Sequence, residues 1–274
     1  IMKPLNEPFE DANLRIISLG AGVQSSVLVL MAAKGELTPM PDCAIFADTG
    51  WEPEGVYEHL DWLEKQLPFP VYKVMRSNIK DDALGMTNAT GQNFTAIPFY
   101  TENGGMGRRQ CTSEYKLQPI RNKTRELLGL KPRQRSKDLF AETWIGISWD
   151  EIQRMKESWV PYIKHRWPLL EKRMYRHHCL EWFEERYPGR ELAKSACIGC
   201  PFHDNKAWRE MKNNDPKSFQ EAVDFDKGIR VSSKFDEKLF LHRSCKPLDE
   251  IDFRSSEDKG QLSFLDECDG MCGM

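Results

Sequence analysis

The chain of 274 residues is 40% hydrophobic, with 8 Trp and 14 Phe, which is enough apolar side chain for a substantial core and excludes a disordered chain. A run of about eighteen apolar residues is absent, and Met2 to Arg15 carries charges where a signal peptide needs an apolar centre. Neither a membrane span nor an export signal is expected, and the predicted location is the cytoplasm.

The net charge of −3 conceals segregation along the chain. Residues 108–137 hold ten Lys/Arg against Glu114 and Glu126, whereas residues 249–269 hold eight Asp/Glu against Arg254 and Lys259. Two solvated faces that attract each other account for this pattern, and so does an anionic ligand, phosphate or nucleic acid, on the basic segment.

In chain order, LRIISL (14–19) reads as a buried strand ending at Gly20-Ala21-Gly22, and the helical run VLVLMAAK follows Ser25-Ser26. CAIFADT (43–49) reads as a second strand, with Pro53 opening a helix whose apolar positions are Val56, Leu60, Leu63 and Leu67. VYKVM (71–75) is a third strand. Residues 76–107, rich in glycine and asparagine, are expected to form a lid or mobile loop. A helix is predicted from Thr112 to Leu128 and a core strand over 141–148, with mostly helical chain beyond. Strands alternating with helices predict an α/β, Rossmann-like, mostly parallel sheet flanked by helices, with ligands at the carboxyl ends of the strands. Gly20-Ala21-Gly22 and Asp48-Thr49-Gly50 both fall at such ends. The expected organisation is a nucleotide-binding core over 1–150, a helical cysteine-bearing region over 151–248 and an acidic cysteine-containing tail over 249–274.

The eight cysteines, in a chain without an export signal, favour metal or redox chemistry over structural disulfides. Cys197-Ile198-Gly199-Cys200-Pro201 spaces two thiols for one metal centre, with glycine and proline keeping the turn tight. A zinc knuckle and an iron–sulfur site are both open on this spacing.

Ser18-Leu19-Gly20-Ala21-Gly22-Val23-Gln24-Ser25-Ser26 sits where backbone amides and a helix N-terminus would cradle phosphate, although the loop taken alone favours a plain strand-to-helix turn. It is not a Walker A loop. It resembles the PP-loop of the phosphoadenosine phosphosulfate (PAPS) reductase and adenine nucleotide α-hydrolase superfamily, with Gly20 in place of the first serine and Gln24 in place of the aspartate. Phe46 to Gly50, Arg108-Arg109-Gln110-Cys111 with Lys116 and Pro119, Trp144-Ile145-Gly146-Ile147 through Arg154, Pro168-Leu169-Leu170 ahead of Trp182, and the 197–201 motif resemble further family segments in the same order.

The resemblance implies a HUP-type fold. It implies that Ser18, Gly20, Ala21, Gly22, Gln24, Ser25 and Ser26 approach the phosphates of ATP or another adenine nucleotide, and that Asp48, Thr49 and Gly50 approach its ribose or base. Arg108, Arg109, Lys116, Gly146 and Arg154 complete the nucleotide site, with Mg2+ bridging the phosphates. It further implies a 4Fe-4S cluster on Cys111, Cys197 and Cys200, with Cys179 or Cys245 as fourth ligand or one iron left open for sulfide. Gln110 stands where cluster-bearing sulfonucleotide reductases have the first cysteine of a pair.

The implied activity is sulfur transfer to an adenylated acceptor, with a nucleic acid on segment 108–137 as a candidate acceptor. Two alternatives share the fold. One is a PAPS or APS reductase acting through Cys268 or Cys272, whose tail is similar to a glutamate-cysteine-glycine terminus although its acidic neighbours raise a thiol pKa. The other is a non-catalytic nucleic-acid-binding or redox-sensing module. Partners implied are a thioredoxin-like reductant or a cysteine desulfurase, and a second copy in a homodimer. His177, His178, His203 and His242 are expected at surface or packing positions.

Overall fold

The computed structural model describes residues 7–192, 195–231 and 237–254. In chain order the elements are β1 (Leu14–Leu19), α1 (Val23–Ala33), β2 (Cys43–Asp48), α2 (Glu54–Gln66), β3 (Val71–Met75), α3 (Ile79–Leu84) and β4 (Tyr100–Thr101). A π-helical segment, Thr112–Leu117, runs into α4 (Gln118–Leu127), followed by β5 (Ala141–Ile145), a 3-10 turn at Trp149–Arg154, β6 (Ile163–Arg166), α5 (Pro168–Glu171) and α6 (Arg176–Arg186). Then come α7 (Asn205–Asn214), α8 (Pro216–Arg230), β7 (Leu239–Phe240) and a 3-10 turn at Leu248–Glu250. No helix among the described residues is long and apolar enough to cross a membrane.

The chain divides into two compact units. The first comprises the described parts of Ile1–Asp48, Glu54–Val74 and Leu117–Ser195. Its centre is a five-stranded parallel sheet in the order β3-β2-β1-β5-β6. β1 lies between β2 and β5, with Ser18 opposite Ile45 on one side and Ile145 on the other. Both faces of β1 are covered: Ile17 joins a cluster with α1, α2 and α6, whereas Ile16 packs with Ile45 and Ile120 of α4. This is why LRIISL reads as a continuous apolar run and not as an alternating one. α1 is buried on all sides, with Val27, Leu28, Val29 and Leu30 each at 0% exposure, so its sequence carries almost no polar face.

The second unit comprises Thr49–Pro53, Met75–Lys116 and the described part of Ala196–Met274. Its core gathers Trp51, Phe99, Tyr115, Trp208, Phe219 and Phe225, around which α3, α7 and α8 and the antiparallel pair β4–β7 are arranged. Asn78, Asp204 and Asp215 cap α3, α7 and α8 by accepting backbone N–H bonds from residues two or three positions on, which satisfies amides that the helices leave open.

The units do not follow the linear order expected from sequence. Residues 151–195, expected in a helical region, contribute β6 and α6 to the sheet unit. The strand IKHR carries no apolar alternation that would mark it in the sequence. It forms because Ala141 to Trp144 of β5 pair with it, and because Arg166 is neutralised in the interior by Glu171, at 2.8 Å, and Glu142, at 3.6 Å. The expected lid over 76–107 also differs: Ile79, Ala83, Met86, Ala96, Ile97 and Phe99 are buried in the second core, and α3 and β4 lie within the segment. Its apolar residues are irregularly spaced because they plug one core from a winding path, which periodicity does not register.

Candidate functional site

In the sheet unit, the turn after β1 is built around one hydroxyl. Ser25, in the first turn of α1, accepts the N–H groups of Gly20 and Gly22, both at 3.2 Å, and donates to the Gly22 carbonyl. Ala21 adopts a left-handed φ of 55° and is fully buried. Two backbone donors thus converge on one oxygen at the N-terminus of a helix, which is the arrangement an anion oxygen takes up. Gly146, at the end of β5, closes the other side: a Cβ there would stand 3.0 Å from both Cα and N of Ser25 and 3.2 Å from the Gln24 carbonyl carbon.

Those neighbours are backbone and cannot swing aside. Gly146→Ala is therefore expected to push the end of β5 off the loop and to cost about 1–3 kcal/mol. Thermal melts check this. A variant that melts like the parent chain would exclude close packing of this glycine against the loop.

The other residues expected at the loop divide. Ser18 is partly exposed at the strand end. Gln24 donates to Ser148 (3.3 Å) and Glu151 (3.2 Å) and accepts from Arg176 (3.1 Å), so it links the first turn of α1 to the turn after β5. Arg154 is ion-paired with Glu151 in that same group. Ser26 is turned inward: it is fully buried, and its hydroxyl is 2.9 Å from Nε2 of His59. Burial pushes His59 down to about 4, with Arg190 acting in the same direction, so the imidazole is neutral near pH 7 and Ser26 serves packing. At the end of β2, Asp48 accepts a 2.8 Å bond from the Tyr57 hydroxyl, which orients its carboxylate. Tyr57 was not singled out from sequence, because an aromatic residue on a helix reads as core.

In the second unit, one cavity is lined by Thr49, Ile79, Ile97, Pro98, Arg109, Cys111, Thr112, Lys116, Cys197, Gly199, Cys200, Pro201 and Phe202. Three cysteines from two distant stretches of chain therefore face one space. The Cys-x-x-Cys turn is closed by the Cys200 N–H to Cys197 carbonyl bond, at 3.1 Å. His203 contacts that carbonyl at 3.0 Å and packs edge-on against Trp208, so it supports the turn.

Around Cys197 the chemistry is polar. Its sulfur is 3.3 Å from the Thr49 hydroxyl and 3.5 Å from Oε1 of Glu52, which also receives Lys116 at 3.6 Å. Glu52 is only 4% exposed, and such a buried carboxylate is retained by its polar neighbours. Nothing in the local sequence marks it, since its partners come from 64 and 145 residues further along. Arg109 stacks 5.0 Å above the Phe202 ring and donates to Thr112, while its Nε is buried without a hydrogen-bond partner. Arg108 is exposed and does not line the cavity. Gly50 makes the turn instead, with φ of 74° and its carbonyl accepting from Asn78 at 3.1 Å.

The two candidates for a fourth thiol ligand separate clearly. Cys179 lies in the core of the sheet unit at 0% exposure, where burial pushes its thiol up to about 12, the opposite of what a ligand thiolate needs. Cys245 belongs to the second unit and donates to the Thr101 carbonyl at 3.2 Å, though it does not line the cavity. Among the described residues, no three His, Cys, Asp or Glu side chains converge on a position suited to a single metal ion. Cys268 and Cys272 lie outside the described residues.

No protein-family model matches the chain, and no curated protein matches it.

Proposed function

We propose that the protein is an ATP-using sulfur-transfer enzyme of PP-loop type on a HUP-like fold, acting in a reducing cytoplasmic setting on an acceptor that is a nucleic acid. The observation that carries this reading is the lining of one cavity by Cys111, Cys197 and Cys200 together with the cations Arg109 and Lys116.

The donor set that supports an iron–sulfur cluster is the three thiols of Cys111, Cys197 and Cys200 in one cavity wall shared with Ile79, Ile97, Pro98 and Phe202, and Cys245 is the remaining described cysteine of the same unit. Cys111, Cys197 and Cys200 are the residues that would hold the cluster, which would supply a Lewis-acidic iron for the sulfur donor, and Mg2+ would offset charge on the phosphates.

In this reading the Gly20 and Gly22 amides exchange the Ser25 hydroxyl for a phosphate oxygen, and Ser25 then donates to the same group. Asp48, held by Tyr57, accepts from a ribose hydroxyl or the adenine amino group. The acceptor carbonyl oxygen attacks the α-phosphate and pyrophosphate leaves. Hydrosulfide then adds to the activated carbon, AMP departs with the original oxygen, and the sulfur proton passes to solvent. Arg109 and Lys116 favour the anionic reactants in the cavity.

The test is anaerobic. Protein reconstituted with iron and sulfide is expected to be brown, and with ATP, sulfide and RNA or DNA to release AMP and pyrophosphate in equal amounts. Cys111→Ala, Cys197→Ala and Cys200→Ala are each expected to lose iron, whereas Cys179→Ala keeps it. A colourless protein that binds zinc, or no AMP release with any nucleic acid, removes the reading.

A further inference from the structure

The outer surface of the sheet unit around α4 carries a feature that the nucleotide loop and the cysteine cavity leave unused. Trp159, in the segment leading to β6, is 80% exposed, whereas Trp51, Trp144, Trp167, Trp182 and Trp208 are all 8% exposed or less. An exposed indole presents a large apolar π-face together with a polar N–H, the combination that serves as a contact platform.

One neighbour is already in place. The Arg121 guanidinium lies 4.7 Å from the Trp159 ring centroid, and Arg125, one turn further along the same face of α4, lies 5.1 Å from Tyr162. Two arginine–aromatic pairs therefore bridge the helix to the 159–162 segment side by side. The basic character continues past the helix: Lys131, Arg133, Arg135 and Lys137 are all exposed. Arg125 fastens their loop to the helix by donating to the carbonyls of Lys131 (2.6 Å) and Gln134 (3.0 Å). Across residues 118–137, seven Lys/Arg face a single acidic residue, Glu126, which is paired with Lys123 at 2.6 Å. Glu157 is the one acidic residue of residues 155–165, which also carry Lys156 and Lys164.

We propose that this surface binds single-stranded nucleic acid, an exposed base stacking on Trp159 beside Arg121 while the 131–137 loop contacts the adjoining phosphates. Every base presents a π-face, so an aromatic platform with a stacked guanidinium accepts any unpaired base. A duplex keeps its faces inside the stack and offers the platform only its backbone. The charge of the loop suits a polyanion. The inference deepens the proposed sulfur transfer by giving the acceptor a chemical class, and it rests on that reading only for its purpose, because the binding itself needs neither ATP nor iron.

The experiment is fluorescence anisotropy with labelled twelve-nucleotide oligo(U), oligo(dT) and a duplex of the same length, using the full chain without ATP. Both single strands are expected to bind, the duplex at least about tenfold more weakly. Trp159→Ala is expected to weaken single-strand binding roughly 5- to 100-fold, with Trp159→Phe retaining most of it. Arg133→Ala and Arg135→Ala are each expected to flatten the slope of log affinity against log salt by about one phosphate contact. Preference for oligo(U) over oligo(dT), or the reverse, identifies which nucleic acid the surface favours. Trp159→Ala binding as well as the parent chain, equal affinity for the duplex, or no binding of any oligonucleotide overturns the proposal, and a protein that occupies the surface instead gives the last of these results. Because Trp159 is exposed, its substitution leaves the fold intact, and an unchanged melting temperature verifies this. Failure here with AMP release intact sinks only this inference, whereas binding without AMP release sinks only the proposed enzyme.

Discussion

Replacing Gly199 by alanine is expected to destabilise the cysteine-bearing unit by about 3 kcal/mol or more, at the upper end of the range for overpacked sites. The added Cβ would stand 1.9 Å from Cη2 and 2.4 Å from Cζ3 of Trp51. That indole is 2% exposed, is tilted against Phe225 at 4.3 Å, and is anchored by a 2.7 Å bond from its Nε1 to Glu221. It cannot move without disturbing the core, so the Cys197–Cys200 turn must move instead, and its Ile198 N–H to Trp51 carbonyl bond, at 2.9 Å, is put at risk. At about 2–4 °C per kcal/mol for a chain of this size, the melting temperature is expected to fall by roughly 6–12 °C. On the proposed cluster reading, iron uptake on reconstitution should fall with it. The decisive control is Trp51→Leu, which costs stability alone but makes room: the double variant is expected to lose less than the sum of the two single losses. Additive losses, or a Gly199→Ala protein that melts like the parent chain, would mean that the turn and the indole are not in close contact.

Asp226→Ala is expected to cost still more, about 3–5 kcal/mol, because it strips several buried groups of their partner at once. Asp226 is fully buried in α8. One carboxylate oxygen accepts the Leu241 N–H at 2.9 Å, the other accepts the Leu248 N–H at 3.0 Å, and Arg230, one turn along, completes the ion pair. Leu241 and Leu248 are themselves at 0% exposure, so water cannot replace the lost acceptor. Asp226→Asn keeps one good acceptor and is expected to fall between the parent chain and the alanine variant. Chemical denaturation followed by circular dichroism measures both, and an alanine variant within about 1 kcal/mol of the parent chain would contradict the arrangement. The residue lies in a stretch, VDFDKG, whose acidic residues read as ordinary surface charge on a helix.

That example illustrates what a linear reading registers. β1, β2 and β5 and helices α1 and α2 are legible because parallel strands covered on both faces are continuous apolar runs, and because glycine, proline and cap residues punctuate them. The glycine turn after β1 is legible for the same reason, as is the Cys-x-x-Cys spacing. Tyr57, Glu52 and Trp159 are not legible. Each is an ordinary residue type at an ordinary position, and its significance comes from a partner elsewhere: Asp48 for Tyr57, Cys197 and Lys116 for Glu52, Arg121 for Trp159. Ser26 and Cys179 show the reverse. Both have the right residue type, but helix geometry turns Ser26 toward His59 and packs Cys179 into the core.

The α/β character, the order of the first strands and helices, the candidate anion loop and the set of thiols worth considering are written in the chain itself, because these depend on local periodicity and short spacing. That residues 151–192 complete the sheet unit, that Cys111 shares a cavity with Cys197 and Cys200, and that Cys179 does not, comes from long-range packing alone. Chain folding brings together groups separated by more than 80 residues, and neither apolar period nor residue type encodes which of them will meet.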